Sequence, residues 1–181
     1  MISNSPDFQF VLGKLKASSI QDKRQQAYVL ATIKRETGDT FRPVLEGNYL
    51  KENRLQKLFN YYQKNNPSAI KTIFPNGISG LTYEGRGYVQ ITHLYNYEKF
   101  SKELGVDLVN HPELALVPDN AWGIAEIGMT KGMFTGKKLS DYFNDTKTDY
   151  PNARRIINGL DKAQMIAGYA EEFFNYLNLP S

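Results

Sequence analysis

The sequence predicts a single, mainly α-helical domain with a minor β element, on three observations. Apolar residues recur at helical spacing through most of the chain, with capping residues before them and Gly or Pro after them. One stretch, residues 68–92, breaks that period with Pro75-Asn76-Gly77 and Gly85-Arg86-Gly87, which predicts a small hairpin or irregular lobe. No internal repeat, low-complexity tract or linker divides the 181 residues, a length that suits one domain over 1–181 with a substantial core.

Taken in order, Ser5-Pro6-Asp7 starts a short helix whose face is Phe8, Val11, Leu12 and Leu15. Ser19 with Asp22 resembles a capping box and opens a longer helix that carries Ala27, Leu30, Ala31 and Ile33 and ends at Glu36. Thr40 to Gly47 reads as extended, fixed at Pro43. Leu55, Leu58, Phe59 and Tyr62 predict a helix from about Lys51 to Asn65, ended by Asn66-Pro67. After the irregular stretch, Tyr97, Phe100 and Leu104 mark a helix stopped by Gly105, and Asp119 caps one through Trp122, Ala125 and Met129. Short helices are expected around Ser140–Asn144 and Asn152–Asn158. The last helix, capped by Asp161, packs through Ala163, Ile166, Ala170, Phe173 and Leu177.

With 41% hydrophobic and 13% aromatic residues the chain is not disordered as a whole. It has no cysteine, which removes disulfides, thiolate ligands and cysteine nucleophiles. The first residues lack a basic segment followed by a long apolar run, and no stretch approaches a membrane span, so the expectation is synthesis in the cytoplasm without a classical signal peptide. Net charge is +3, but residues 1–90 carry 13 Lys/Arg against 7 Asp/Glu and residues 91–181 carry 9 against 12. A basic front half suits an anionic polymer or an ordinary solvated face; without a recognised binding motif no nucleic acid partner is expected.

Two carboxylates flank the end of the second helix. Ile33, Thr32 and Val29 lie three, four and seven residues before Glu36, so its side chain follows a mostly apolar stripe, and Gly38 puts it in the last helical turn. Burial and the negative end of the helix dipole both oppose its ionisation, as a general acid needs. Glu46, beyond the turn in a polar segment with Arg42 close in sequence, is expected to stay charged. A pair of this kind is the minimum for glycoside hydrolysis. Alone it is weak, because most Glu residues are surface charges.

Tyr83-Glu84-Gly85-Arg86-Gly87-Tyr88-Val89-Gln90-Ile91-Thr92, followed by Asn96-Tyr97, resembles the YxGRGxxQLT...NY signature of glycoside hydrolase family 19, the chitinase and phage-endolysin family. The segments around Glu36 and Glu46 resemble its acid and base blocks, and Gly132–Leu139 and Ala153–Gly159 its later ones. The resemblance implies a bilobed, lysozyme-like helical fold, a catalytic domain throughout, and inverting hydrolysis of β-1,4 bonds between N-acetylated amino sugars. It assigns Glu36 as general acid, Glu46 as general base and Thr92 as holder of the attacking water, with Gln90, Asn96 and Asn158 lining the sugar site. An inverting enzyme needs its carboxyls about 6.5–9.5 Å apart, which a helix end plus a separate loop can provide. Arg35 stands where the family commonly has His, and Asp39 replaces a second Gly. Adjacent helical residues diverge by about 100°, so Arg35 is expected to point outward.

Of the remaining residues, Arg86 is assigned to the substrate site as a buttress of a carboxylate across the cleft, with a structural ion pair as the alternative, and Tyr88 is the aromatic chosen for substrate contact among Tyr83, Tyr88, Tyr95 and Tyr97. His93 and His111 have no ligand spacing, so neither metal nor other cofactor is expected. Three functions compete. The first is cleavage of bacterial peptidoglycan by a monomeric endolysin-type enzyme acting at the cell wall, without stable membrane insertion and with holin-dependent release or an immunity protein. The others are a chitinase and a catalytically silent glycan-binding protein.

Overall fold

The computed structural model describes residue 2 and residues 4–180. In chain order the helices are α1 (Pro6–Lys16), α2 (Lys23–Glu36), α3 (Arg54–Asn65), α4 (Ile70–Ile73), α5 (Leu94–Leu104), α6 (Pro118–Lys131) and α7 (Ala163–Leu177). The strands are β1 (Val44–Leu45), β2 (Arg86–Gly87), β3 (Phe143–Asn144) and β4 (Lys147–Thr148). The chain is therefore mainly helical with a minor β element, as its periodicity predicts. It divides into two compact units, Met1–Arg42 with Ala125–Ser181, and Pro43–Ile124; the division falls within α6.

In the first unit, Ser5 caps α1 by accepting from the Phe8 amide at 3.2 Å, and Phe8, Val11, Leu12 and Leu15 are buried. Phe8 packs edge-on to Phe41 and stacked with Phe173 of α7, with centroids 5.0 and 6.0 Å away. The Ser19–Asp22 capping box does not form: Asp22 itself caps α2, accepting from the Arg24 amide at 2.8 Å. Every residue from Ala27 to Ile33 is fully buried, because α7 packs along the helix and offers Ile166, Ala170 and Phe173. Transferring such side chains out of water is worth roughly 1.5–3 kcal/mol each, which is the main force on this pair.

Two local expectations fail here. Instead of a helix at Ser140–Asn144 there is a 3-10 turn, Leu139–Asp141, and then the antiparallel hairpin β3–β4. Tertiary contacts decide it: Phe143 packs on Tyr28 and Tyr150, and Arg24 of α2 donates to the carbonyls of Asn144 and Lys147 and to the Thr148 hydroxyl. The short helix expected around Asn152–Asn158 is present as a 3-10 helix, Asn152–Ile156. Asp161 does not cap α7; Lys162 stands at the cap with φ +59°, and no side chain bonds there.

In the second unit, β1 and β2 pair antiparallel, Val44 opposite Gly87 and Leu45 opposite Arg86. Residues 68–92 thus form no hairpin of their own. They hold α4, then β2, and the run Tyr88–Thr92 is not a strand, since only Ile91 bridges back to Arg86 and Gln90 has φ +58°. The core contains Leu58, Ala69, Ile73 and Phe74, with Phe59 and Tyr62 of α3 packed against it. Gly105 ends α5 with φ +66°, as predicted. Asp119 lies inside the first turn of α6, because Pro118 is its first residue; Trp122 is buried as expected.

Candidate active site

Glu46 follows β1 directly, so the strand pairing aims it. Its amide donates to the Gly85 carbonyl at 2.8 Å, and the Gly85 amide donates back to Oε2 at 2.8 Å. The Tyr62 hydroxyl donates to Oε1 at 2.7 Å. Burial, and then the adjacent Glu46 carboxylate, hold the Tyr62 phenol above its ordinary pKa, so it keeps the proton that it donates. A Cβ on Gly85 would lie 2.5 Å from Gln90 Oε1 and 3.3 Å from Glu46 Oε2, so a larger residue would displace the Gln90 amide. The predicted neighbour Arg42 is not involved, because it pairs with Asp7 at 2.7 Å.

A buried ionic ladder lies next to this carboxylate. Glu84 is 0% exposed and pairs with Arg54 at 2.7 Å and Arg86 at 3.2 Å. Burial pushes its pKa up, but Arg86, the Thr82 side chain and Arg54 outweigh that and leave it below the usual carboxylate value. Arg54 also donates to the Glu46 carbonyl at 2.9 Å, and Arg86 to the Thr82 carbonyl and the Tyr97 hydroxyl. Arg86 therefore takes the structural role of the two foreseen, and it is buried rather than open to substrate. Tyr88 is corrected likewise: at 1% exposure it is a core side chain and presents no face to a sugar.

The remaining signature residues form a chain of backbone bonds. Gln90 donates to the Val44 carbonyl at 2.6 Å, tying the loop to β1. The half-buried Thr92 hydroxyl lies 3.4 Å from the Gln90 carbonyl, and Asn96 donates to the Thr92 carbonyl at 2.8 Å. His93 Nδ1 meets the Thr72 hydroxyl at 2.9 Å, and its ring lies under the exposed Tyr95 with centroids 5.1 Å apart and planes 7° apart. Burial holds His93 below its ordinary pKa, with the Glu46 charge opposing. A depression of about 230 Å³ beside Glu46 is lined by Gly47, Leu50, Leu58 and the exposed rings of Tyr49 and Tyr61.

In the first unit Glu36 is the last residue of α2, and Gly38 follows with φ +57°. Val29, Thr32 and Ile33 beside it are fully buried, as the stripe predicts. The acid is not walled by apolar groups alone, however. Arg154, 5% exposed, brings Nη1 to 2.8 Å from Glu36 Oε1 and donates through Nε to the Asp161 carbonyl at 3.0 Å. Arg154 falls within the Ala153–Gly159 segment and Tyr62 on the apolar face of its helix, and neither partnership has a local signal in the sequence. Asn158 is exposed, and its Oδ1 accepts from the Gly159 amide at 2.8 Å. Arg35 does not simply point outward: it is half-buried, and its Nε is enclosed without a hydrogen-bond partner. Asp39 pairs with Lys34 at 2.6 Å.

Among the described residues no group of three or more His, Cys, Asp or Glu could hold a metal ion, and no helix is long and apolar enough to cross a membrane. The family model described as chitinase class I, glycoside hydrolase family 19, matches residues 13–123. A basic endochitinase of Vitis vinifera is 53% identical over 36 residues, 20% of this chain and 12% of that protein. Endochitinase A2 of Pisum sativum is 31% identical over 102 residues, 55% of this chain and 29% of that protein. The matches thus span well under half the length of these relatives. The structure of a bacterial family 19 chitinase shares the fold at TM-score 0.54 and 18% identity, over 96% of this chain and 86% of that one.

Proposed function

The chain belongs to glycoside hydrolase family 19, the class I chitinases, and on that premise we propose that it hydrolyses β-1,4 bonds between N-acetylated amino sugars with inversion. Glu36 is the general acid that protonates the leaving oxygen, and Glu46 the general base that takes a proton from the attacking water. Thr92 orients that water through its hydroxyl. Gln90, Asn96 and Asn158 contact sugar, and the exposed faces of Tyr49 and Tyr61 beside Glu46 suit pyranose stacking.

The observation that carries the reading is the hold on Glu46. The family's signature loop gives the Gly85 amide to one carboxylate oxygen, and Tyr62 gives a hydroxyl to the other. Both donors are neutral, so they fix the direction of the carboxylate without cancelling its charge, as a base requires. Arg154 favours Glu36 as the carboxylate, the form an acid reaches once its proton has left, and so does not supply the apolar surround expected of a protonated acid.

The plant relatives are named endochitinases, which favours chitin as the polymer. Peptidoglycan shares the bond type, and the basic first half of the chain favours its anionic strands. On the second reading the protein acts at the bacterial wall as a monomer, released through a holin or restrained by an immunity protein. Incubation with chitin oligomers and with purified cell walls, followed by mass spectrometry of the fragments, separates the two. Proton NMR of fresh product is expected to show the α-anomer; a β-anomer would exclude inversion, and binding without product would leave a silent glycan-binding protein.

A further inference from the structure

We infer that the first unit carries a carboxylate-binding groove beside the Glu36 helix end, suited to the peptide-substituted, anionic strands of peptidoglycan and not to neutral chitin. The inference rests on the glycosidase reading for the identity of the polymer. Two adjoining depressions form the groove, about 580 and 380 Å³, which share Lys162 and Met165. One continues over Asn152 and Leu160; the other reaches Lys34, Arg35 and Asp39 at the end of α2.

Its charge is lopsided. Lys34, Arg35 and Lys162 line it against the single carboxylate of Asp39, and that carboxylate is taken by Lys34. Among the described residues neither Arg35 nor Lys162 makes an ion pair, and Arg35 Nε is enclosed with no acceptor. The 15-residue helix α7 begins at Lys162 with no side-chain cap, so the positive end of its dipole faces the same groove. Exposed Met165 and Leu160 supply apolar surface for the stem of a peptide.

The position matters as much as the charge. Arg154, which pairs with Glu36, also holds the Asp161 carbonyl, so the loop that presents Lys162 is fastened to the candidate acid. A glycan strand whose carboxylate occupies this groove would be registered against Glu36 through that connection. Chitin has no carboxylate to place there.

The test is isothermal titration of the protein with chitotetraose and with a peptidoglycan tetrasaccharide bearing stem peptides. Glu46→Gln protein, which leaves the Arg154–Glu36 pair intact, is used to prevent turnover, with wild type at low temperature as control. The charged fragment is expected to bind more tightly, and Lys162→Glu and Arg35→Gln each to weaken it by roughly three- to fivefold while chitotetraose is unaffected. Added salt should erode the preference, since such charges are screened beyond about 8 Å at physiological ionic strength. Lys162→Glu puts a negative charge at a helix N-terminus, which favours the fold, so lost binding would not report unfolding. Equal affinity for the two ligands, or parallel loss of both in the variants, would overturn the groove. Failure of the glycosidase reading shows separately, as absence of product from either polymer with wild type, while the titration still gives its answer.

Discussion

Glu36, in the first unit, is held by a buried guanidinium, whereas Glu46, in the second, is held by a phenol and a backbone amide. The surroundings reverse this contrast. Glu36 ends a helix whose flank is a continuous apolar core, while Glu46 adjoins a buried ladder of two arginines and a glutamate. Arg54 and Arg86 are absorbed by Glu84, which leaves Glu46 to neutral donors, whereas Arg154 sits on Glu36 itself. The lesson is that the two candidate roles are separated by partner type, a cation for the group that must end as an anion and neutral donors for the group that must begin as one.

Removing either carboxylate should have the largest effect. Glu36→Gln and Glu46→Gln are each expected to lower kcat on a cleaved polymer by about 10²–10⁴-fold, the range of general acid–base catalysis, and Glu36→Gln also to lower thermal stability, because it leaves the buried Arg154 without its carboxylate. Reducing-end release measures this, and near-wild-type turnover would break the comparison at that residue. Next comes the ladder. Glu84→Gln leaves the buried Arg86 and the half-buried Arg54 without their carboxylate and is expected to cost about 3–5 kcal/mol in urea unfolding. Glu84→Gln should also loosen Glu46, because Arg54 bonds its carbonyl.

Tyr62→Phe sharpens the contrast more gently. Loss of one hydrogen bond to a charged acceptor is worth about 1.5–3 kcal/mol, and kcat should fall with KM nearly unchanged if the phenol only aims the base. The smallest effect is on pH dependence. His93 is held below its ordinary value of 6.5, so it is neutral in the fold while the unfolded chain takes up a proton. That contribution is fully present above about pH 6.5 and is lost as pH falls toward the folded value. Unfolding midpoints between pH 7.5 and 5.5 should therefore decline less steeply in His93→Gln. Glu84 acts in the same direction at lower pH: its lowered value adds stability above the ordinary carboxylate range that disappears as pH falls through the folded value.

Much of this was legible in the chain. Helical spacing placed α1, α2, α3, α5 and α7 because each buries one stripe, and Gly38 and Gly105 marked real helix ends with positive φ. The resemblance of the signature run pointed to the family that the model over residues 13–123 shows. Where the chain misled, long-range partners outweighed local preference. Residues 143–148 became a hairpin because Arg24, some 120 positions earlier, binds its carbonyls. Tyr88, surrounded by glycines and polar residues, went into the core.

Periodicity and caps by themselves determined a mainly helical chain with Glu36 at a helix end and Glu46 past a turn, because those features depend on neighbours within about one helical turn. Only the tertiary structure decided what each carboxylate touches. Arg154 lies 118 positions from Glu36, and Gly85 lies 39 from Glu46. Partners so distant in sequence are chosen by which elements pack and pair, and no local pattern records that choice.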